Sequence, residues 1–174
     1  MKFHQTTQAR VKECLLYDEA TGIFTWKKRT SRFGNLRIGS VAGSLSPSNG
    51  YWVIGFDNLL FMAHRLAWIY VHGEMPPAEI DHINRVRTDN RLSNLRLATR
   101  AENGRNCSAR KSASGLKGAH LDKGRLGRLR RPWVARITQN GKPLHLGYFA
   151  TAEEAHAAYV QAARELYGEF ARAV

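Results

Sequence analysis

Asp81 and His82 stand side by side in this chain, Asn94 follows twelve residues after the histidine, and Asn103 nine residues after that. These side chains suit the hydrolysis of a phosphodiester, which needs an activated water, an electrophilic clamp on the phosphoryl oxygens and relief of charge on the leaving oxygen. A neutral His82 can take a proton from water near physiological pH. Asp81 offers an anionic oxygen and Asn103 a neutral one, donors suited to Mg²⁺ or Mn²⁺ with water and phosphate completing the coordination. One geometric condition attaches to this. Neighbours in a regular strand point to opposite faces, so Asp81 and His82 share a site only where the strand twists, bulges or ends.

The elements around these residues follow from local pattern. Residues 1 to about 63 read as a short helix near Thr7–Leu16 followed by turn-punctuated strands at Gly22–Lys27, Gly39–Gly43 and Tyr51–Phe56, with Asp57-Asn58 as a tight hairpin turn. The run His64–Val71 predicts a buried helix with Leu66, Ala67, Ile69 and Tyr70 inward, stopped by Gly73 and by Pro76-Pro77. After Leu95–Ala98 a second helix begins, with Thr99 as N-cap and Glu102 as its capping-box partner, which puts Asn103 on a first helical turn. His64 reads as a hydrogen-bonded packing residue and His72 as a helix C-terminal one; Asn84, Asp89 and Asn90 read as turn formers. Asn106, one turn beyond Asn103, either reaches the site, caps the helix or faces solvent.

Composition names the partner class. Lys and Arg number 27 against 14 Asp and Glu, a net charge of +13, so a polyanion is expected and a merely basic soluble protein is the plain alternative. Arg85, Arg87, Arg91 and Arg96 cluster about the candidate phosphate site and read as contacts to a DNA backbone, the alternative being a solvated face. Cys14 and Cys107 match no zinc or redox spacing, which points to a reducing compartment. The N-terminal residues lack the apolar run of a signal peptide, and no segment approaches ~18–20 uninterrupted apolar residues. A soluble, cytoplasmic protein with no membrane partner is expected.

Residues 104–116 carry Gly, Ser and basic residues with few apolar ones, a linker composition. Beyond them Trp133–Thr138 alternates like a half-buried strand, Asn140-Gly141 is a hairpin turn and Pro143–Phe149 returns as the partner strand. Thr151 and Glu154 form a capping box, and Ala155, Ala158, Tyr159, Ala162 and Leu166 line one face of a helix that Gly168 ends.

The motif His64-Arg65-Leu66, Asp81-His82, Asn94-Leu95 and Glu102-Asn103 resembles the HNH endonucleases, specifically the phage and intron-encoded homing type. The resemblance implies a ββα-metal site with His82 as general base and Asp81 and Asn103 as metal ligands. Asn94 is implied to be the second residue of the catalytic pair, serving by holding the loop that positions the histidine. The third letter is Asn rather than His, so the implied metal is Mg²⁺ or Mn²⁺ rather than zinc. Tyr17-Asp18, Thr21-Gly22, Phe24-Thr25-Trp26 and Gly50-Tyr51 are similar to the segment that commonly precedes the motif.

The C-terminal stretch resembles the plant ethylene-response-factor DNA-binding domain, through Gly115–Gly118, Trp133–Ile137, Leu146–Phe149, Thr151–Ala155 and Ala157–Gly168. This implies a three-stranded antiparallel sheet, backed by one helix and laid into the DNA major groove. Period two then puts Ala135 and Ile137 on the helix and Arg136 and Thr138 toward DNA. His145 and Tyr148 occupy analogous outward positions. At His145 the plant domains usually carry tryptophan, and the basic segment Lys123–Arg131 differs from theirs, so base preference does not transfer. Arg125, Arg128, Arg130 and Arg131 read as phosphate contacts, base readers or solvated side chains, and Arg128, Arg130 and Arg131 are expected on DNA. Trp133 is expected in the core.

The expected protein is thus α+β: an HNH endonuclease domain at 1–110 with a β-rich lead-in, a linker at 111–116, and a DNA-binding domain at 117–174. It would bind double-stranded DNA as a monomer or homodimer and cut it with a divalent metal, in the cytoplasm of a bacterial host as the product of a phage or mobile element. The competing expectations are a non-catalytic DNA-binding regulator with a vestigial nuclease fold, and an RNA-binding basic protein.

Overall fold

The computed structural model describes residues 7–28, 36–106, 114–124 and 130–171. Arg125, Arg128, Cys107 and residues 111–113 lie outside them. The chain forms two compact units, Met1–Thr99 and Arg100–Val174.

The first unit opens with α1 (Gln8–Cys14), whose N-cap Thr7 accepts a hydrogen bond from the Arg10 amide. The helix ends two residues earlier than the sequence suggests. Leu15–Asp18 is instead β1, antiparallel to β2 (Ile23–Trp26). Its burial alternates, with Leu15 and Tyr17 inward and Leu16 and Asp18 outward, so a period of two overrides the helical reading of the Leu-Leu pair. The strand expected at Gly39–Gly43 is reduced to one bridge, Thr25 to Val41. Gly39 and Gly43 both take positive φ, which interrupts an extended run. β3 (Ser44–Leu45), β4 (Trp52–Phe56) and β5 (Leu59–Met62) make an antiparallel sheet in chain order. Asp57 and Asn58 turn its second hairpin with φ of 52° and 62°, as their tolerance of the left-handed region requires.

Next comes α2 (Ala63–His72), which buries Leu66, Ala67 and Ile69 against Val11, Leu15, Phe24 and Ile54. Gly73 ends it in the left-handed conformation, and Gln8 Nε2 donates to the Tyr70 carbonyl at 2.8 Å, satisfying one of the orphan acceptors at the helix end. Tyr17, Phe24 and Tyr70 form an aromatic cluster beneath the first hairpin, with Tyr17 and Phe24 stacked at 4.7 Å between centroids. The unit closes with the antiparallel pair β6 (Glu79–His82) and β7 (Leu95–Ala98).

The second unit starts with α3 (Arg100–Arg105) and contains a three-stranded antiparallel sheet, β8 (Ala119–Leu121), β9 (Trp133–Gln139) and β10 (Lys142–Phe149), with β9 central and α4 (Ala152–Tyr167) packed across it. Thr151 caps α4 by accepting from the Glu154 amide, while Glu154 reaches back to the Ala150 amide. The buried stripe of α4 is Ala152, Ala155, Tyr159 and Ala163. Leu166, expected inward, is 36% exposed; Ala163 takes the inner position, four residues after Tyr159. Gly118 has φ of +79°, and a Cβ there would lie 2.1 Å from the Tyr159 ring, so only glycine lets β8 and α4 approach this closely. Among the described residues no helix is long and apolar enough to cross a membrane.

Candidate active site

The register of β6 on β7 runs without a bulge from Glu79 opposite Ala98 to His82 opposite Leu95. The strand ends at His82, where the Arg85 amide donates to its carbonyl at 2.8 Å and Arg85 turns the chain with φ of 65°. The strand therefore ends at the Asp81-His82 pair without a bulge. Both residues are buried. Asp81 lies opposite Arg96, whose Nε and Nη2 both donate to Asp81 Oδ2, at 2.9 and 2.8 Å. His82 meets a different set: its ring lies 5.0 Å from that of His64 and 5.8 Å from that of Tyr51, and its Nε2 is 3.3 Å from Asn90 Oδ1. Burial lowers the proton affinity of His82, which the Asn90 bond and the Asp81 charge partly restore. The balance leaves a neutral imidazole, the form a general base requires.

Between the two strands the chain makes a loop that Asn94 holds together. Its Nδ2 donates to Asn84 Oδ1 at 3.0 Å and to the Asp89 carbonyl at 2.8 Å, while its Oδ1 accepts from the Asn84 amide at 3.0 Å. Asp89 accepts from Asn84 Nδ2 at 2.6 Å and from Arg91 at 2.8 and 2.6 Å, and the Arg91 pairing holds its carboxyl down at about 2. Asn94 thus ties the Asn84 and Asp89 parts of the loop together.

The lead-in hairpin presses on the same loop. Tyr17 Oη donates to the Asn90 carbonyl at 2.6 Å, and burial pushes the phenol up to about 12. A Cβ on Gly22 would lie 2.4 Å from the Arg91 nitrogen and 2.5 Å from the Asn90 carbonyl carbon, so the turn between β1 and β2 rests directly on the loop backbone. Sequence reasoning missed Asn90, Tyr17, Gly22 and Tyr51 as parts of this site. The Asp89-Asn90 dipeptide has turn chemistry, and nothing in its spacing marks a partner for His82.

His64 departs from expectation. It is buried as the second residue of α2, 5.2 Å from the Tyr51 ring, but its Nδ1 has no hydrogen-bond partner among the described residues. Burial, with His82 and Arg65 adding smaller effects, drives its pKa down to about 3, so the ring is neutral.

The four nearby arginines divide. Arg85, Arg87 and Arg91 are exposed, with Arg87 donating to the Asn49 carbonyl at 2.5 Å and lying over the Tyr51 ring at 5.0 Å. Arg96, expected on the same outer face, is turned inward onto Asp81 with a side chain only 13% accessible. Its position opposite Asp81 on the ladder, where the two charges neutralise each other, accounts for the difference.

Asn103 is the fourth residue of α3 and is half-buried. Asn106 is buried, which removes the solvent-facing alternative, and its amide donates to the Glu102 carbonyl at 3.2 Å. The Asp81 carboxylate is engaged by Arg96 through Oδ2. Among the described residues no three of His, Cys, Asp and Glu gather into a metal-binding group.

On the sheet of the second unit, Ala135 and Ile137 pack beneath α4 while Arg136 and Thr138 are exposed. Trp133 packs with the core. His145 and Tyr148, three apart, would fall on opposite faces of a regular strand. A bulge between His145 and Gly147 corrects the phase, so His145 pairs with Arg136 and Tyr148 with Val134 on one face, their rings 4.6 Å apart. His120 shares this face opposite Val134 and is exposed, a residue the sequence reading did not single out. Arg130 and Arg131 are exposed just before β9.

Residues 61–105, from Phe61 in β5 to the end of α3, match the family model described as HNH endonuclease. A stretch of 120 residues, 68% of this chain, is 28% identical to an uncharacterised HNH endonuclease of Acanthamoeba polyphaga mimivirus. The match spans 59% of that relative's length. The segment carrying Asp81, His82, Asn94 and Asn103 is therefore similar to the HNH endonucleases.

Proposed function

We propose that this protein is a metal-dependent DNA endonuclease of the HNH homing type. The observation that carries the reading is the buried, neutral His82 at the end of β6, beside Asp81 and within the segment that matches the HNH endonucleases. His82 takes a proton from the attacking water, and the hydroxide attacks phosphorus in line with the leaving 3′ oxygen. The products are a 5′-phosphate and a 3′-hydroxyl. Asp81 and Asn103 are the proposed ligands for Mg²⁺ or Mn²⁺, and a bound divalent cation supplies stabilisation of charge on the phosphoryl and leaving oxygens. Arg96 steadies Asp81 from across the ladder, and Asn94 holds the loop. Arg85, Arg87 and Arg91, which are exposed, are the proposed contacts to DNA phosphates.

The second unit is the proposed anchor, an ethylene-response-factor-type module whose exposed sheet face carries Arg136, Thr138, His145 and Tyr148, with Arg128, Arg130 and Arg131 preceding it in sequence. The proposed domain plan is a nuclease at 1–110, a linker at 111–116 and a DNA-binding domain at 117–174, whereas the compact units divide between Thr99 and Arg100. One such site per chain makes a nick by a monomer the minimal event, and a double-strand break requires a homodimer or two visits. Incubating supercoiled plasmid with the protein and Mg²⁺ tests this directly. Appearance of open-circular or linear DNA supports the reading; a gel shift with no nicking under Mg²⁺ or Mn²⁺ favours a non-catalytic DNA-binding protein.

A further inference from the structure

Three consecutive residues of the lead-in hold the side chain of Arg87. The Asn49 carbonyl accepts from Nη1 at 2.5 Å, a Cβ on Gly50 would sit 3.9 Å from Cδ, and Cζ lies 5.0 Å over the Tyr51 ring. The segment is braced in turn: the Gly50 amide donates to the Ser46 carbonyl at 2.9 Å, the Ser46 amide to the Tyr51 carbonyl at 2.8 Å, and the Tyr51 amide to Asn49 Oδ1 at 3.0 Å. Ordering an exposed arginine costs rotamer entropy. Here the guanidinium is ordered although, among the described residues, no carboxylate pairs with it. By contrast Arg91 commits Nε and Nη2 to Asp89, and Arg96 commits the same two nitrogens to Asp81. Arg87 uses Nη1 alone, which leaves Nε and Nη2 as a pair of donors whose spacing matches two oxygens of a phosphate.

Tyr51 carries this arrangement to the candidate site. Its ring is half-buried and lies 5.8 Å from that of His82 and 5.2 Å from that of His64, so one aromatic side chain borders both the guanidinium and the imidazoles. We propose that Arg87 is a preformed clamp for a DNA backbone phosphate alongside the His82 site, and that Tyr51 is its positioning residue. The inference rests on the reading of the protein as a DNA endonuclease. A guanidinium already fixed by a carbonyl and an aromatic face gives up little freedom when it takes a phosphate through two parallel bonds. The contact therefore adds register as well as charge. Through Arg87 the Ser46–Tyr51 turn sets where the backbone lies against the site, without entering the chemistry.

The test uses the full chain and a random-sequence DNA duplex in EDTA, where binding is read without cleavage. Arg87→Ala should weaken binding on the order of tenfold and make the slope of log K against log salt shallower by about 0.9. Arg87→Lys should keep the slope and lose several-fold in affinity, since an ammonium cannot both stack on Tyr51 and fork onto a phosphate. Tyr51→Leu should lose a similar amount, while Tyr51→Phe, which keeps the ring, should bind like the wild type. Once Arg87 is alanine, Tyr51→Leu should have no further effect. An unchanged slope in Arg87→Ala overturns the proposal and leaves Arg87 a solvated side chain. Wild-type affinity in Arg87→Lys overturns it even if Tyr51→Leu does not fold. So does an equal loss from Tyr51→Leu with and without Arg87, the mark of a ring that merely packs. A wild type that binds the duplex but does not nick plasmid in Mg²⁺ overturns the endonuclease reading while the slope still decides the clamp, so the two failures are distinguishable.

Discussion

Arg96 places two nitrogens on a single oxygen of Asp81 from the directly opposing position of the β6–β7 ladder. The pair is almost wholly out of water, with side chains 13% and 5% accessible. Breaking such a pair by removing one partner leaves the other charge buried, at a cost of roughly 3 kcal/mol. Arg96→Met should therefore lower the unfolding free energy in urea by about that amount. Asp81→Asn keeps a hydrogen-bond acceptor but leaves the Arg96 charge without its counter-ion, so it should also destabilise the fold, while abolishing Mg²⁺-dependent cleavage. A stable Arg96→Met protein would show that the pair contributes little.

Asn94 should behave as a structural clamp. Asn94→Ala removes three hydrogen bonds within the loop, each worth about 1 kcal/mol, and leaves the half-buried Asp89 carbonyl short of a donor. Stability should fall by about 2–3 kcal/mol. Cleavage should fall with it, while the affinity of the second unit for DNA stays unchanged in a filter-binding assay.

How much of this was legible in the residues themselves differs by element. The hairpin turns at Asp57-Asn58 and Asn140-Gly141 and the Thr151 cap were plain, because left-handed backbone and an orphan amide each demand a short list of side chains. Asp81, His82 and Asn94 could be picked out from motif order. Its supports could not. Tyr17 and Asn90 are 73 residues apart, and their hydrogen bond exists only because the tertiary fold lays the first hairpin on the loop. The inward turn of Arg96 needed the strand register, and the common face of His145 and Tyr148 needed a bulge that no spacing rule reveals.

Acid should destabilise the first unit through His64. Its folded pKa of about 3 lies below the ordinary 6.5, so the unfolded chain binds the proton more readily. The contribution is complete above about pH 6.5 and is lost as pH falls toward 3, with a slope approaching about 1.4 kcal/mol per pH unit. Urea midpoints between pH 7 and 4 should fall less steeply in His64→Phe than in the wild type. Equal slopes would show that His64 is not buried as a neutral ring.

Gly118→Ala should unfold the second unit selectively. The substitution combines positive φ with a collision against Tyr159. Calorimetry should show a lowered transition and DNA affinity should drop, with the remaining residues of the first unit retaining their hydrogen-exchange protection.

On the sheet of that unit, Arg136→Ala should weaken DNA binding. If Arg136 contacts a phosphate, the slope of log K against log salt should become shallower by about 0.9. An unchanged slope with reduced sequence preference would assign Arg136 to base reading instead.

His82 is the proposed base. Cleavage of supercoiled plasmid by His82→Ala should be slower than wild type by on the order of 100-fold or more in Mg²⁺, with a folded protein and unchanged DNA binding. Undiminished Mg²⁺-dependent cleavage by that variant would contradict the account.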